Sequence, residues 1–261
     1  MESVLQYHHV SVQYDRETIV QDISFQVHAG EIVGIIGPSG SGKSTLLKGA
    51  MQLLGPKGTV AHGDIRLNGL SLLHLSEKEK LSLYGTVIAM IFQDASTTFA
   101  PMRTIGSQIQ ETLAVHRGMN KTEAKRRVLD LFQHVSMPDG ERVWNSYPCM
   151  LSGGMLQRAV IVLAMALKPK VLLADEPTSA LDVCAQRDVL ETLRWAQQEL
   201  GTAIVLVTHD MAVIQALADT VLVLHQGRCI EQGTVQQIMK QPQQTYTKAF
   251  IQAMPTWRRY R

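Results

Sequence analysis

The run Gly37-Pro38-Ser39-Gly40-Ser41-Gly42-Lys43-Ser44 has the spacing GxxxxGK[ST] of a phosphate-cradling loop. Its glycines let the backbone curl so that several N–H groups point at one polyanion. A helix starting near Ser44 adds the positive end of its dipole. Lys43 is placed to reach the β- and γ-phosphates of a nucleotide, and the Ser44 hydroxyl to ligate Mg²⁺. Thr45 completes this nucleotide-binding set. A second run, Val171 to Ala174, is apolar and ends in Asp175 and Glu176. Asp175 suits a further Mg²⁺ contact, often through water. Glu176 is placed to polarise an attacking water as general base. Taken alone, such an acidic pair also reads as a solvated strand end; behind a phosphate loop the catalytic reading is preferred. A third run, Leu151-Ser152-Gly153-Gly154-Met155 followed by Leu156-Gln157-Arg158, opens a helix on small residues. It is either a second anion-binding N-terminus or a plain N-cap.

These residues need strands before them and helices behind them. Leu5–Tyr14 alternates loosely and Ile23–Val27 is a short apolar run, so the N-terminus reads as strands. His28-Ala29-Gly30 makes a turn, and Glu31–Ile36 is a β-branched run that reads as a buried strand entering the phosphate loop. From Ser44, residues Leu46, Leu47, Ala50, Met51 and Leu54 share a helical face that Gly55-Pro56 ends. Asn68-Gly69 within Asp64–Leu70 signals a hairpin. Residues 95–158 are rich in helix formers, with Lys121–Val135 amphipathic, and read as a helical insertion. Val171–Ala174 and Ala203–Val207 are buried strands, and Asp219–Leu224 with Gly227-Arg228 forms a last hairpin. Strands alternating with helices give an α/β class with a mainly parallel sheet.

Composition narrows the functions open to such a domain. The chain has 261 residues, 45% apolar and 18% charged, enough for a sizeable core. Its 25 Lys and Arg against 23 Asp and Glu leave a net charge of +2, which argues against coating nucleic acid. The longest apolar stretch, Ala159–Leu167, is half of the roughly 20 residues a spanning helix needs. No transmembrane segment or signal peptide is expected. Cys149, Cys184 and Cys229 form no CxxC pair, so neither a disulfide framework nor a zinc site is expected, and a reducing cytosol fits.

Together the three motifs resemble the ATP-binding cassette, the ATPase module of ABC transporters. Gly37–Ser44 is similar to Walker A, and Val171–Asp175 to Walker B with Glu176 at the catalytic glutamate position. Leu151–Met155 is similar to the LSGGQ signature, with Met155 in place of Gln. Gln93 matches the Q-loop, Ser179-Ala180-Leu181-Asp182 the D-loop, His209 the switch histidine, and Tyr14 the aromatic against adenine. The resemblance spans about Val4 to Gly233. It implies a P-loop NTPase core with an N-terminal antiparallel β subdomain and an inserted helical subdomain. The implied ATPase domain is 1–241, with the core in 1–94 and 159–241, the helical part in 95–158, and a tail over 242–261. ATP and Mg²⁺ are the implied cofactors. Glu176, His209, Lys43 and Gln93 are the implied catalytic residues, and Ser44, Gln93 and Asp175 the metal-binding ones. Two cassettes would pack head to tail, so Ser152, Gly153 and Gly154 would serve the partner's ATP.

Finer features resemble the dipeptide, oligopeptide and nickel importer family. They are Ile91-Phe92-Gln93-Asp94, then Phe99–Gly106, Tyr147-Pro148 and Ala174–Val183. Ala95 and Ala100 depart from its usual Pro and Asn. Many peptide-type members carry a longer C-terminal extension with a cysteine cluster, absent here, which favours the nickel or metal-chelate branch slightly over peptides. The implied partners are a second ATPase chain, identical or different, two transmembrane permease subunits and an extracytoplasmic solute-binding protein, with no nucleic acid. The implied location is peripheral, on the cytoplasmic face of the membrane. His8-His9 is not expected to bind nickel. The basic, aromatic tail Trp257–Arg261 reads as a solvated end or as a contact to anionic lipid or a partner. The alternatives are an ABC exporter ATPase or a soluble ABC ATPase acting on nucleic acid or ribosomes.

Overall fold

The computed structural model describes residues 3–179 and 181–253. Ala180 of the D-loop match and the tail Trp257–Arg261 therefore lie outside the described residues. In chain order the first elements are β1 Ser3–Tyr14, β2 Glu17–His28, β3 Ile32–Ile36, α1 Lys43–Ala50, β4 Gly58–Leu67 and β5 Leu70–Ser71. Then come α2 Glu77–Leu83, β6 Ile88–Ile91, α3 Ile105–Arg117, α4 Lys121–His134 and α5 Gly140–Asn145. They are followed by α6 Gly153–Ala166, β7 Val171–Asp175 and α7 Val183–Leu200. The last are β8 Ala203–Thr208, α8 Met211–Leu217, β9 Thr220–His225, β10 Arg228–Thr234, α9 Val235–Lys240 and α10 Thr245–Gln252. The chain divides into two compact units. One holds the residues up to Leu75 and those from Ala203 onward, the other Ser76–Thr202.

In the first unit β2, β1, β4 and β5 form an antiparallel sheet in that order. Asn68 and Gly69 both take positive φ, the backbone of the two-residue hairpin turn that their types demand. Tyr7 of β1 is fully buried, stacks on Phe25 at 4.4 Å, and donates its hydroxyl to the Leu46 carbonyl of α1 at 3.1 Å. That bond ties α1 to the antiparallel sheet. β3 is buried at every residue, as a continuous apolar run requires. It runs parallel to β8 and β9, and β9 turns back as β10 through Gln226 and Gly227, again both at positive φ. Ile36, Met211, Ile214, Val221, Val223 and Ile238 pack as one cluster, joined by Tyr246 and Phe250 of α10.

α1 is shorter than its apolar spacing predicts. It stops at Ala50 because Gln52 takes a left-handed φ of 54° and the chain reverses there. Leu53 N–H then bonds the Lys48 carbonyl at 2.8 Å and Gln52 N–H the Gly49 carbonyl at 3.1 Å. This is a Schellman end, and it takes Leu54 off the helix.

In the second unit β6 and β7 pair in parallel, and the remainder is helical, as the composition of 95–158 predicts. α4 starts on a reciprocal cap in which Asn120 and Glu123 each accept the other's backbone N–H. The carbonyl of Ala166, which ends α6, accepts from Arg127, and that of Leu167 just past it from Arg117, cations suited to a helix C-terminus. No helix among the described residues is long and apolar enough to cross a membrane.

Candidate functional site

Parallel strands gather whatever follows their C-terminal ends, the usual place for ligands in such sheets. In the first unit Ile36 of β3 lies beside Thr208 of β8. The phosphate loop that begins at Gly37 and His209 therefore leave adjacent strand tips. The loop's curvature rests on Gly40 and Gly42, at φ 78° and 94°, a region that side chains other than glycine's enter with strain. Gly37 answers a different demand, because a Cβ there would lie 2.1 Å from the Leu224 carbonyl oxygen of β9. Lys43 is buried, and its ammonium donates to the carbonyls of Gly37 and Pro38 at 2.8 Å each. The cation is thus held inside the curl, where a polyphosphate would need it. Ser41 is 2% exposed, and its hydroxyl finds no partner among the described residues. A buried orphan hydroxyl is costly unless a ligand completes it. That oxygen and the buried ammonium fit a polyphosphate.

His209 is exposed, and the backbone around it is pinned on both sides. Asp210 N–H donates to the Thr208 hydroxyl at 3.0 Å, while the Asp210 carboxylate caps α8 through Ala212 N–H at 2.8 Å. Tyr14 ends β1, half-buried, opposite Gly58 of β4.

In the second unit Ile91 of β6 lies beside Ala174 of β7. Two residues past Ile91 stands Gln93, and just past Ala174 stand Asp175 and Glu176. The register brings them together: the Gln93 amide Nε2 donates to Glu176 Oε2 at 3.3 Å. Asp175 is 4% exposed at the strand tip. Glu176 takes a left-handed φ of 46°, a strained backbone for a non-glycine residue. Its carbonyl is held there by the Ser179 N–H at 3.1 Å and the Ser179 hydroxyl at 2.9 Å. Ser179, noted in the sequence only as part of a motif, thus fixes the turn that aims the Glu176 carboxylate. Gln93 and Asp175 each carry an oxygen of the hard kind that suits Mg²⁺, as does Ser44 in the first unit.

Ser152, Gly153 and Gly154 stand on a separate element, the start of α6. Ser152 is its N-cap and accepts from Met155 N–H at 3.3 Å, so the plain capping role is real. Ser152 and Gly153 are exposed, and a Cβ on Gly153 would meet nothing within 4 Å. The first-turn amides thus remain open to an anion. The Met155 substitution leaves them intact, because they belong to the backbone. Arg158 and Asp188 also belong to this unit and stand outside the three motifs. The signal that marks Arg158 is its i+4 spacing from Gly154, one helical turn.

Known proteins are similar to this chain over most of its length. Residues 20–179 match the ABC transporter family. The dipeptide transport ATP-binding protein DppD of Escherichia coli strain K12 is 43% identical over 236 residues, covering 90% of this chain and 72% of DppD. The metal-staphylopine import system ATP-binding protein CntD of Staphylococcus aureus strain NCTC 8325 is 41% identical, over 90% of this chain and 86% of CntD. The dimeric post-hydrolysis structure of the ATP-binding cassette MJ0796, bound to ADP and Pi, is similar with a TM-score of 0.77 at 27% identity. It is matched over 88% of this chain and 98% of that one. With its phosphate loop, its carboxylate-tipped strand and its helix-opening Ser-Gly-Gly all in place, the chain belongs to the ABC transporter family, as one of that family's ATP-hydrolysing subunits.

Proposed function

We propose that this chain powers an importer for peptides or metal chelates, working as one half of a cassette dimer on the cytoplasmic face of the membrane. The observation that carries the reading is the match to DppD and CntD over nine-tenths of the chain. The partners proposed are a second cassette, two permease subunits and an extracytoplasmic solute-binding protein. The ATPase domain is taken as 1–241, with 95–158 as the helical part that docks on a permease.

In this reading Tyr14 stacks on adenine, and Gly37–Thr45 wrap the phosphates. Lys43 turns from its own loop carbonyls to the β- and γ-phosphates, an exchange of acceptors that costs little. Ser44, Gln93 and Asp175 would hold Mg²⁺, which when bound would neutralise phosphate charge. An amide has one donating and one accepting end; Gln93 gives its donor to Glu176, and its carbonyl is the end suited to a cation. Glu176 takes a proton from the attacking water as the water oxygen bonds to the γ-phosphorus and the bond from that phosphorus to the β,γ-bridging oxygen breaks, leaving ADP, and His209 contacts the γ-phosphate in the transition state. Ser152, Gly153 and Gly154 complete the partner's site. ATP therefore closes the dimer, and hydrolysis reopens it.

The test is the complex reconstituted in liposomes with its permeases and binding protein. Loaded binding protein should raise ATP turnover several-fold, and peptides tried against nickel chelates decide the cargo. Turnover indifferent to the membrane partners, yet accelerated by DNA or RNA, would overturn the proposal.

A further inference from the structure

Arg158 lies one turn after Gly154 on α6, and its guanidinium joins three elements of the second unit. Nε donates to the Gly154 carbonyl at 3.2 Å. Nη1 donates to the carbonyls of Val135 and Ser136, just past the end of α4, at 3.3 and 3.1 Å. The same nitrogen meets Asp188 Oδ2 of α7 at 2.9 Å. Only 13% of the Arg158 side chain and 28% of the Asp188 side chain are exposed.

A planar guanidinium presents donors in a fixed fork, so satisfying acceptors in several directions also fixes their spacing. The carbonyls past α4 have no partner within their own helix, and Arg158 supplies one. Further contacts join the same elements. His134 of α4 stacks on Trp195 of α7 at 4.7 Å. A Cβ on Gly154 would lie 3.1 Å from the Ala185 Cβ of α7. The turn that carries the Ser152–Gly154 amides is thus braced from α7 and from the end of α4. Arg158 is too enclosed and too committed to reach a nucleotide itself.

We propose that Arg158 and Asp188 are a positioning pair for the first turn of α6, and that they act on the ATP held by the partner's phosphate loop rather than on the chain's own. This rests on the reading that Ser152–Gly154 complete the partner's site. Breaking the pair leaves a half-buried carboxylate and two carbonyls without their donor, and the amide cluster then loses its set position.

The test uses dimers in which every chain carries Glu176→Gln, so that ATP retained after rapid desalting is counted instead of turnover. One phosphate loop is disabled by Lys43→Ala, and Arg158→Ala is then placed on one of two chains. If the second cassette is a different chain, Arg158→Ala stays on this chain, and the disabled loop is this chain's own in one arrangement and the partner's, through its phosphate-loop lysine, in the other. On the chain with the disabled loop, it faces the one working loop, and retention should fall about tenfold, the effect of about 1.4 kcal/mol. On the other chain it faces the disabled loop, and retention should match the dimer without it. Equal loss in both arrangements, or loss in neither, overturns the proposal. Should Arg158→Ala fail to fold, Arg158→Lys and Asp188→Asn must show the same dependence on arrangement with smaller losses. Gly154→Asp, run in parallel, separates the two levels. If it depends on arrangement while Arg158→Ala does not, the positioning role alone falls. If neither depends on it, the cross-dimer reading falls as well.

Discussion

Replacing Gly37 by alanine tests the phosphate loop where its geometry is least forgiving. The new Cβ would sit 2.1 Å from the Leu224 carbonyl oxygen and 2.9 Å from the Ser41 hydroxyl. Leu224 is fully buried in β9, which is flanked by β10 on one side and β3 on the other, and cannot retreat. Carbon–oxygen contacts settle at about 3.3 Å or more, so the loop itself must move by about 1 Å. Misplacing a reacting group by that much costs on the order of a hundredfold in rate, about 2.7 kcal/mol. Overpacking takes a further 1–3 kcal/mol or so from stability. Isothermal titration with ATP, steady-state hydrolysis and thermal melting measure the three effects. Gly30→Ala is the control. Unlike Gly37 it sits at positive φ, 68°, and its Cβ would meet nothing within 4 Å. It should lose about 1–2 kcal/mol of stability and keep ATP affinity. Parental ATP affinity in Gly37→Ala, or equal loss of affinity in the two variants, would refute the steric argument.

Three further outcomes are expected. Glu176→Gln should lower turnover by about two to four orders of magnitude while leaving an ATP-bound dimer visible by gel filtration; hydrolysis at the parental rate would remove Glu176 as the base. Tyr7→Phe deletes the buried bond to Leu46 and should cost about 1 kcal/mol, or roughly 2–4 °C in melting temperature; an unchanged melt would show that the bond contributes nothing. Burial alone would raise the pKa of Glu231, but hydrogen bonds from the Gln243 and Gln244 amides outweigh it and hold the carboxyl below its usual range. A lowered acid pKa stabilises the folded state above the unfolded value, about 4.3, and that gain fades as pH falls through the folded one. Glu231→Gln should therefore melt lower than the parent at pH 7, with the gap closing in acid; a gap independent of pH would contradict this.

Much of the site could be read before any coordinates. A loop that needs positive φ at Gly40 and Gly42 must be written in glycine, and a carboxylate at the tip of an apolar run announces itself. The Asn68-Gly69 hairpin was equally open, because its turn type demands those residues. The end of α1 was not. Its apolar spacing continues to Leu54, and nothing nearby marks Gln52 as the residue that turns left-handed. Nor were α9 and α10 foreseen, since α10 is started by a carboxylate from β10 and covered by a cluster drawn from β3, α8 and β9.

Residue types along a few positions set which groups this chain carries and which turns and periods it adopts, since φ preference, side-chain period and charge act over one or two turns. The company those groups keep follows from folding. Leu224 lies against Gly37, Asp219 holds the N–H of Ile32 from 187 residues away, and Arg158 draws in Gly154, Ser136 and Asp188. Such neighbours are chosen by close packing and strand register, and local propensity carries no record of them.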